Sequence, residues 1–345
     1  MTADTVGGVW TYALDLTDAL AHHEVEVHIA TMGRLPDAGQ RSAASRSSLA
    51  GLHESSYALE WEDDPWQSVD TAGEWLLELG ETLAPDVVHV NGYAHASLQW
   101  SVPVVVAAHS DVISWWRAVR RRHVPPALDE YRRRVEDGLQ HADVVCAPTL
   151  AVLDDLAASY TFGGDRLVVP NGRASRPQVS IPKEPLVVGL GRFWDEAKNV
   201  AALQRVAERS PWRVLLGGPG TPFGRLSPDG VAELLERASI FASPARYEPF
   251  GLAALEAAQS GCALLLGDIP SLREVWGDAA TYVAPGDDEA LLDALGGLCG
   301  DDARRNELAA RALGRAGDYT RAAMAAAMHA VYERALATAP AGAVA

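Results

Sequence analysis

Cysteine is scarce in this chain of 345 residues, which contains only Cys146, Cys262 and Cys299. Their odd number and wide spacing argue against a disulfide framework and against a zinc site. Small or apolar residues flank all three, so we expect buried thiols in a reducing compartment. The expected location is therefore cytoplasmic.

Long apolar runs are also missing. The longest, such as Val102–Ala108 and Cys262–Leu266, are far shorter than the roughly 20 residues that a membrane-spanning helix needs. The first residues lack a basic start followed by an apolar core, so we expect no secretory signal. Positive charge is in short supply, and the net charge of −17 disfavours nucleic acid as a partner. An anionic substrate would then need a local cluster of cations.

Short β-branched runs alternate with helical stretches almost throughout the chain, which is typical of parallel sheets covered on both faces. Strands are predicted at Val25–Thr31, Asp86–Asn91, Val102–His109, Asp143–Pro148, Arg166–Val169, Leu186–Leu190, Arg213–Leu216, Ser239–Ala242, Cys262–Leu266 and Thr281–Val283. Helices are predicted near Val9–Ala21, Trp66–Leu83, Pro126–Leu139, Leu150–Ser159, Asn199–Arg209, Pro228–Arg237, Leu252–Gln259 and Asp288–Leu298. Two such series predict an α/β chain of two doubly wound, Rossmann-like domains facing a central cleft.

Prolines in the stretch Arg173–Glu184 indicate the domain boundary. We assign residues 1–176 to an N-terminal domain and 177–320 to a C-terminal domain. Residues 321–345 are expected to form a last helix and a tail, with the helix packing back on the N-terminal domain. Leu35–Ser56 lacks periodicity and is interpreted as a loop. Thr2–Gly8 resembles the loop after a first strand, so that strand is very short or the natural start lies upstream.

The segment Arg246–Gln259 contains the most informative pattern, because Pro249 and Gly251 shape a tight turn between a strand and a helix. Such a turn leaves backbone N–H groups free at the positive helix start, which suits a phosphate oxygen. Glu248 and Glu256 flank the turn, and carboxylates suit sugar hydroxyl groups rather than phosphate. The alternative is a helix with one capping and one solvated glutamate.

The segment Gly189–Asn199 places Arg192 and Lys198 between the end of a strand and the start of a helix. Open α/β sheets bind their ligands at this carboxyl edge. Arg192 can bind a phosphate through two N–H groups, and Lys198 adds a point charge. The alternative is a surface salt bridge of Lys198 with Asp195 or Glu196.

Weaker patterns lie in the first half. Gly7 and Gly8 open the first helix and allow a ligand to approach the backbone closely, although a simple tight turn explains them equally well. His109 ends a strand, which points it into the expected cleft, and a structural role is its alternative. His89 and His95 are interpreted as structural.

These motifs resemble those of the family 4 retaining glycosyltransferases, which have the GT-B fold. The family carries the pattern Glu-Pro-Phe-Gly-Leu-x-x-x-Glu-Ala, and the residues from Glu248 match it. The resemblance implies that Glu256 binds the nucleotide ribose and that Glu248 lies beside the donor sugar. The backbone of Phe250, Gly251 and Leu252 would meet the diphosphate and sugar.

The same resemblance implies that Arg192 and Lys198 bind the donor diphosphate, although many members have one residue fewer between them. Gly7 and Gly8 would line the cleft, and His109 would lie close to the reacting sugar. The implied N-terminal domain binds the acceptor and the C-terminal domain binds the nucleotide sugar.

Two glycine-rich turns are further candidates. Gly218 lies in Gly217–Gly220, which follows a predicted strand and is interpreted as letting the chain pass close to the nucleotide. Pro170–Gly172 is interpreted as a turn that shapes the hinge. Glu274 matches a later family segment only loosely, and we interpret it as structural.

The one dense basic stretch contains Arg117, Arg120–Arg122 and Arg132–Arg134, beside Trp115 and Trp116. We favour a solvated helical face balanced by nearby acids. The alternative is recruitment of an anionic acceptor or peripheral contact with a membrane surface.

The resemblance therefore predicts a retaining transferase that moves a sugar from a nucleoside diphosphate sugar to an acceptor hydroxyl or similar nucleophile, with no metal and no cofactor. One alternative is a nucleotide-sugar epimerase or hydrolase on the same scaffold. Another is a non-catalytic nucleotide-sugar-binding protein, against which the intact Arg192, Lys198, Glu248 and Glu256 argue. A dehydrogenase is disfavoured because no Gly-x-Gly-x-x-Gly follows a strand with an acid about 20 residues later.

Overall fold

Two units make up the computed structural model, which describes residues 1–174, 182–221, 224 and 226–338. The first unit comprises Met1–Trp116, Arg122–Gly172 and the chain from Arg321, and the second comprises Arg117–Arg121 and Arg173–Thr320. The boundary expected between residues 176 and 177 lies outside the described residues. Within the described ranges, no helix combines the length and the hydropathy needed to cross a membrane.

Parallel strands form the sheets of the first unit. The strands are β1 (Thr2–Asp4), β2 (His28–Met32), β3 (Gly51–Glu54), β4 (Val88–Val90), β5 (Val104–Ala107), β6 (Val144–Ala147) and β7 (Asp165–Val168). Strand β2 pairs with both β1 and β3, and β4 to β7 pair in chain order. The valines of β5 and β6 are buried, as expected for strands covered on both faces.

Helices alternate with these strands: α1 (Gly8–Leu20), α2 (Ala38–Arg46), α3 (Trp66–Leu83), α4 (Val112–Arg120), α5 (Asp129–His141) and α6 (Leu150–Ala157).

Strand β1 is joined to β4 through Asn91, whose backbone N–H donates to Thr2 Oγ1 at 2.9 Å. The Asn91 amide also donates to the Thr2 carbonyl oxygen at 2.6 Å. The amino end of β1 is therefore held beside the carboxyl end of β4.

The second unit contains one five-stranded parallel sheet, with β8 (Glu184–Leu190), β9 (Arg213–Gly217), β10 (Ala238–Ser243), β11 (Ala263–Gly267) and β12 (Ala280–Val283). Its order is β12-β11-β10-β8-β9. The winding direction therefore reverses between β8 and β10, and ligands of open α/β sheets bind at such a switch point.

The helices of this unit are α7 (Val200–Ala207), α8 (Pro228–Arg237), α9 (Leu252–Gln259), α10 (Pro270–Trp276), α11 (Asp288–Gly300) and α12 (Asp302–Ala316). The last helix, α13 (Arg321–Thr338), belongs to the first unit. Its buried face includes Met324, Met328 and Tyr332, which join the core formed by α1, β5 and β6. The parallel sheets and alternating helices confirm the predicted α/β fold class.

The interpretation of Leu35–Ser56 as a loop is wrong, because this stretch contains α2 and β3. Helix α2 has a capping box in which the side chain of Asp37 accepts from the Gln40 N–H and the Gln40 side chain accepts from the Asp37 N–H. Only Ala44 of this helix is buried, so it lacks the apolar periodicity by which helices are recognised. Helices α4, α10 and α12 were also not predicted.

All three cysteines are free and buried, as predicted. Burial raises the pKa of the Cys146 thiol to about 12 and that of Cys262 to about 11. Both are therefore protonated, unreactive thiols near neutral pH.

Candidate functional site

The loop after β8 brings Arg192 to the switch point of the second sheet. Arg192 Nη2 donates to Asp195 Oδ2 at 2.7 Å, and the guanidinium lies over the ring of Trp194, 5.2 Å from its centroid. About a third of the Arg192 side chain is exposed, but its Nε is buried and contacts no hydrogen-bond acceptor in the described part of the chain. A guanidinium that is fixed through Nη2 and has an N–H group without an acceptor can accommodate an anionic ligand.

Lys198 lies farther along the same loop and is one of only two lysines in the chain. Its Nζ lies 2.6 Å from Glu248 Oε2, and the two side chains are 24% and 16% exposed. The predicted alternative pairing of Lys198 with Asp195 or Glu196 is therefore wrong. The loops after the neighbouring strands β8 and β10 meet, and they bring a cation and a carboxylate together.

Backbone and amide contacts fix this meeting of loops. The N–H of Arg246 donates to the Ala197 carbonyl oxygen at 2.8 Å. The buried side-chain amide of Asn199 donates to the carbonyl oxygens of Pro244 and Pro285, at 2.9 and 2.8 Å. Asn199 has a φ of 51° just before α7, a conformation that asparagine tolerates better than most residues. No role is predicted for Asn199 from the sequence, in which its position before a helix is the only signal.

Gly251 forms the tight turn that was predicted before α9. Its φ of 94° is accessible to glycine, and a Cβ there would lie 3.2 Å from Leu272 Cδ2. No side chain caps α9, so the first-turn N–H groups starting at Leu252 are left for water or a ligand. Phe250 is 2% exposed and packs edge-on against Tyr319, so only its backbone is available to a ligand.

Glu256 lies on α9 and forms an ion pair with Arg173, and both side chains are 17% exposed. The backbone of Arg173 is held in turn, because its N–H donates to the Tyr319 carbonyl oxygen at 3.1 Å. The alternative of one capping and one solvated glutamate is therefore wrong: Glu248 and Glu256 are both mostly buried and paired. Arg173 was missed because nothing in the sequence links it to a residue 83 positions away.

Gly218 is required by contact between two loops of this unit. It has a φ of 129°, and a Cβ there would lie 2.0 Å from the Gly191 carbonyl oxygen. The N–H of Phe193 donates to the Pro219 carbonyl oxygen at 3.0 Å, which joins the loops after β8 and β9. The close approach that the glycine allows is thus to the loop that carries Arg192.

In the first unit, Gly7 precedes α1 with a φ of 106° and a ψ of −142°, a combination that favours glycine. Gly8 begins the helix, no side chain caps it, and both glycines are exposed. The start of α1 therefore presents backbone N–H groups to solvent.

His109 belongs to a hydrogen-bond chain centred on Asn91. The Asn91 amide nitrogen donates to Thr2, so its Oδ1 must accept from His109 Nε2 at 2.7 Å and from His89 Nε2 at 3.2 Å. His89 Nδ1 then accepts from the Tyr332 hydroxyl at 2.7 Å. Burial lowers the pKa of His89 to about 3 and that of His109 to about 4.

The two histidines therefore have different positions in one neutral network. Both ring nitrogens of His89 are used inside the first unit, which agrees with its structural interpretation. His109 keeps Nδ1 as an unprotonated acceptor that contacts no hydrogen-bond donor in the described residues. His95 is buried with its Nε2 3.0 Å from the Val69 carbonyl oxygen, also a structural arrangement.

Part of the basic stretch is paired within the first unit. Arg133 and Arg134 contact Glu130, and Arg134 also contacts Asp70. The hydrogen bonds from Arg133 and Arg134 lower the pKa of Glu130 to about 2. Such partly exposed pairs fit a solvated helical face.

The residues that the structure describes contain no cluster of three or more metal-ligating side chains.

The model for Glycosyltransferase Family 4 matches residues 6–173, and the model for Glycosyl transferases group 1 matches residues 221–315. A D-inositol 3-phosphate glycosyltransferase of Nocardia farcinica is 27% identical over 375 aligned positions, covering 91% of this chain and 82% of the relative.

Solved structures extend the likeness to nearly the whole chain. The sucrose-phosphate synthase of Thermosynechococcus elongatus superimposes with a TM-score of 0.82 at 18% identity, covering 98% of this chain and 96% of that one. Anabaena HepE, solved with UDP and glucose, gives a TM-score of 0.72 at 12% identity, covering 96% and 99%. These likenesses identify the GT-B fold. With both family models matched in order along one chain, this protein belongs to the glycosyltransferases that combine a family 4 domain with a group 1 domain.

Proposed function

We propose that this glycosyltransferase moves a sugar from a nucleoside diphosphate sugar to an acceptor hydroxyl with retention of anomeric configuration, without a metal or a cofactor. The observation that carries the proposal is the set of groups at the β8/β10 switch point. Arg192, Lys198 and the uncapped start of α9 supply positive charge and N–H donors there, in a chain with a net charge of −17.

The proposed role of Arg192 and Lys198 is to neutralise the diphosphate as it leaves the sugar. Both side chains are partly buried, so their interaction with a developing charge is stronger than in bulk water. Groups fixed in advance around a leaving group are often the largest source of catalysis. The backbone at Gly251 and Leu252 adds N–H donors to the same oxygens.

The glutamates are proposed to serve the hydroxyl groups of the donor, with Glu256 on the ribose and Glu248 on the transferred sugar. Each is paired with a cation, Glu256 with Arg173 and Glu248 with Lys198. When a diphosphate takes Lys198, the Glu248 carboxylate gains acceptor capacity for a sugar hydroxyl.

The first unit is proposed to contribute His109, with Gly7 and Gly8 meeting the donor through their N–H groups. The Nδ1 atom of neutral His109 would accept a hydrogen bond from a hydroxyl of the donor sugar or acceptor. In the proposed front-face reaction, the bond between the anomeric carbon and the phosphate oxygen breaks, and the acceptor oxygen bonds to the anomeric carbon on the same face. The leaving phosphate oxygen takes the acceptor proton.

The comparisons suggest the first compounds to try. HepE was solved with UDP and glucose, which makes UDP-glucose the first candidate donor. The name of the Nocardia relative includes an inositol phosphate, which makes a polyol hydroxyl a reasonable acceptor group. The buried free cysteines support a cytoplasmic location.

Nucleoside diphosphate binding is the direct test. We expect one of UDP, GDP, ADP and dTDP to raise the melting temperature of the protein. A sugar donor that carries the same nucleoside diphosphate should then support sugar transfer in the presence of EDTA. NMR of the product should show the anomeric configuration of the donor. Turnover that needs no acceptor would instead indicate a hydrolase or epimerase, and an inverted product would contradict the retaining mechanism.

A further inference from the structure

A pocket opens at the carboxyl edge of the first unit, where β1 and β4 end. It is lined by Asp4 at the end of β1, Met32 at the end of β2 and Asn91 after β4. The segment Ala58–Trp61 also lines it. The pocket lies where the chain winds away from β1 in both directions, by way of β2 and by way of β4, the position at which such sheets bind ligands.

Acceptor oxygens and one aromatic ring dominate this pocket. Glu60 is fixed by the backbone N–H groups of Tyr93 and Ala94, at 3.1 and 2.9 Å. A carboxylate with both oxygens held this way keeps lone pairs for a ligand but cannot swing aside. Asp4 adds a second carboxylate to the lining, and the indole of Trp61 is 51% exposed beside them.

Cations do not line the pocket. All of its lining residues belong to the described part of the chain, and none is a lysine or an arginine. The arginine that follows β2, Arg34, has its guanidinium on the Gln40 side chain at 3.1 Å and near Asp37 at 3.8 Å. A phosphate in the pocket would therefore lie beside two carboxylates without a lining cation, which is electrostatically unfavourable.

We infer that this pocket binds the acceptor through an uncharged polyhydroxyl group, a sugar ring or a polyol that carries no phosphate. Hydroxyl groups donate to the carboxylates of Asp4 and Glu60, and the apolar face of the ring packs on Trp61. The inference rests on the proposed function only where it names the ligand as the acceptor. It adds the chemical class of that acceptor and the residues that select it.

Ligand-observed NMR can test the pocket with two matched pairs of probes, glucose against glucose 6-phosphate and myo-inositol against its 3-phosphate. We expect the uncharged member of at least one pair to bind the wild-type protein at least tenfold more tightly than its phosphate. Glu60→Gln should weaken that binding about tenfold or more, since a charge-assisted hydrogen bond accounts for roughly that factor. Trp61→Ala should weaken it by a similar factor, because it removes the apolar surface on which the ring packs. Trp61 is exposed, so its variant should fold normally even if the Glu60 variant does not.

Glu62→Gln is the matched control, because Glu62 is exposed, two residues from Glu60, and absent from the lining. It should bind the uncharged probes as the wild type does. Tighter binding of a phosphorylated member, wild-type binding by the Trp61 variant, or no binding of any uncharged probe would overturn the inference. UDP affinity, measured separately, tests the proposed function. If the wild type does not bind UDP, the proposed function is refuted. If the Trp61 variant nevertheless loses probe binding, the pocket is still supported as a polyhydroxyl site.

Discussion

Replacing Lys198 and Glu248 separately should have opposite effects on nucleotide affinity. Lys198 Nζ lies 2.6 Å from Glu248 Oε2, so this carboxylate competes for the cation that we assign to the diphosphate. Lys198→Met removes the cation and should weaken UDP binding. Glu248→Gln removes the competing charge, so UDP binding should stay unchanged or strengthen while sugar transfer falls.

The geometry sets the size of both effects. A charge-assisted hydrogen bond contributes about 1.5–3 kcal/mol, so losing Lys198 should raise the Kd for UDP roughly 10- to 150-fold. A phosphate oxygen about 2.8 Å from Nζ lies within about 5.5 Å of the Glu248 oxygen, given the 2.6 Å pair. At an effective dielectric constant of about 20 that repulsion is about 3 kcal/mol before screening. Salt and the hydroxyl contacts of the sugar reduce it, so we expect a gain of about fivefold for Glu248→Gln.

Isothermal titration calorimetry with UDP measures these affinities, and initial rates with the sugar donor measure transfer. Lys183→Met is the control for lysine loss, because Lys183 is the other lysine of the chain and its Nζ caps the carbonyl oxygens of Leu235 and Ser260. Glu289→Gln is the control for charge loss, since Glu289 pairs with Arg209 on the exposed surface of the same unit. Both controls should bind UDP like the wild type.

A specific result refutes this reasoning. If Glu248→Gln weakens UDP binding as much as Lys198→Met does, the carboxylate helps to hold the nucleotide and does not compete with it. If Lys198→Met binds UDP normally, Lys198 has no role on the diphosphate and its pair with Glu248 is structural.

Three further variants test other contacts. Glu256→Gln should weaken UDP about tenfold and abolish the preference for UDP over 2′-deoxy-UDP, because the carboxylate held by Arg173 is assigned to the ribose; an intact preference in titrations contradicts that role. Burial lowers the pKa of His89 to about 3, so the folded state binds this proton more weakly than the unfolded chain, and stability falls as the pH drops below about 6.5. Urea unfolding of His89→Asn should show a pH dependence shallower by about 1 kcal/mol per unit between pH 6 and 4; an unchanged slope argues against a buried neutral imidazole. Gly218→Ala should lose about 2–4 kcal/mol, because its Cβ would lie 2.0 Å from a backbone oxygen, whereas Gly296→Ala meets nothing within 4 Å and should be neutral or stabilising in thermal melts.

The fold could be predicted wherever apolar periodicity and end signals agree. Helices α3, α8 and α9 have the predicted bounds, because each is amphipathic or apolar and ends beside proline, glycine or a strand. Helices α2 and α12 were missed for the opposite reason. Both are polar and start from an aspartate cap, and a cap without an apolar face is a weak signal. Strand β3 has no fully buried residue, so it also lacked a strand pattern.

The candidate site could be predicted as a set of residues but not as a set of pairs. The spacing of Glu248 and Glu256 around a glycine turn is local, and local geometry is what sequence patterns report. The partners of these glutamates come from residues 50 and 83 positions away, and only the order of the strands brings them close. Arg173 therefore had no sequence signal, and Lys198 was assigned the wrong alternative partner.

Pairing each glutamate with a cation has a consequence for selectivity. A bare anion that takes Lys198 leaves the partly buried Glu248 with no cation, whereas a sugar donor brings hydroxyl groups that replace it. The candidate site at the β8/β10 switch point should therefore discriminate against pyrophosphate in favour of a nucleoside diphosphate sugar. Glu248→Gln removes that penalty for the bare anion and also removes the charged acceptor for the hydroxyl. We expect the ratio of pyrophosphate to sugar-donor affinity, measured by competition with UDP, to rise at least tenfold in this variant. An unchanged ratio would mean that discrimination comes from ribose and base contacts alone, and the Lys198–Glu248 pair would then have no part in selecting the donor.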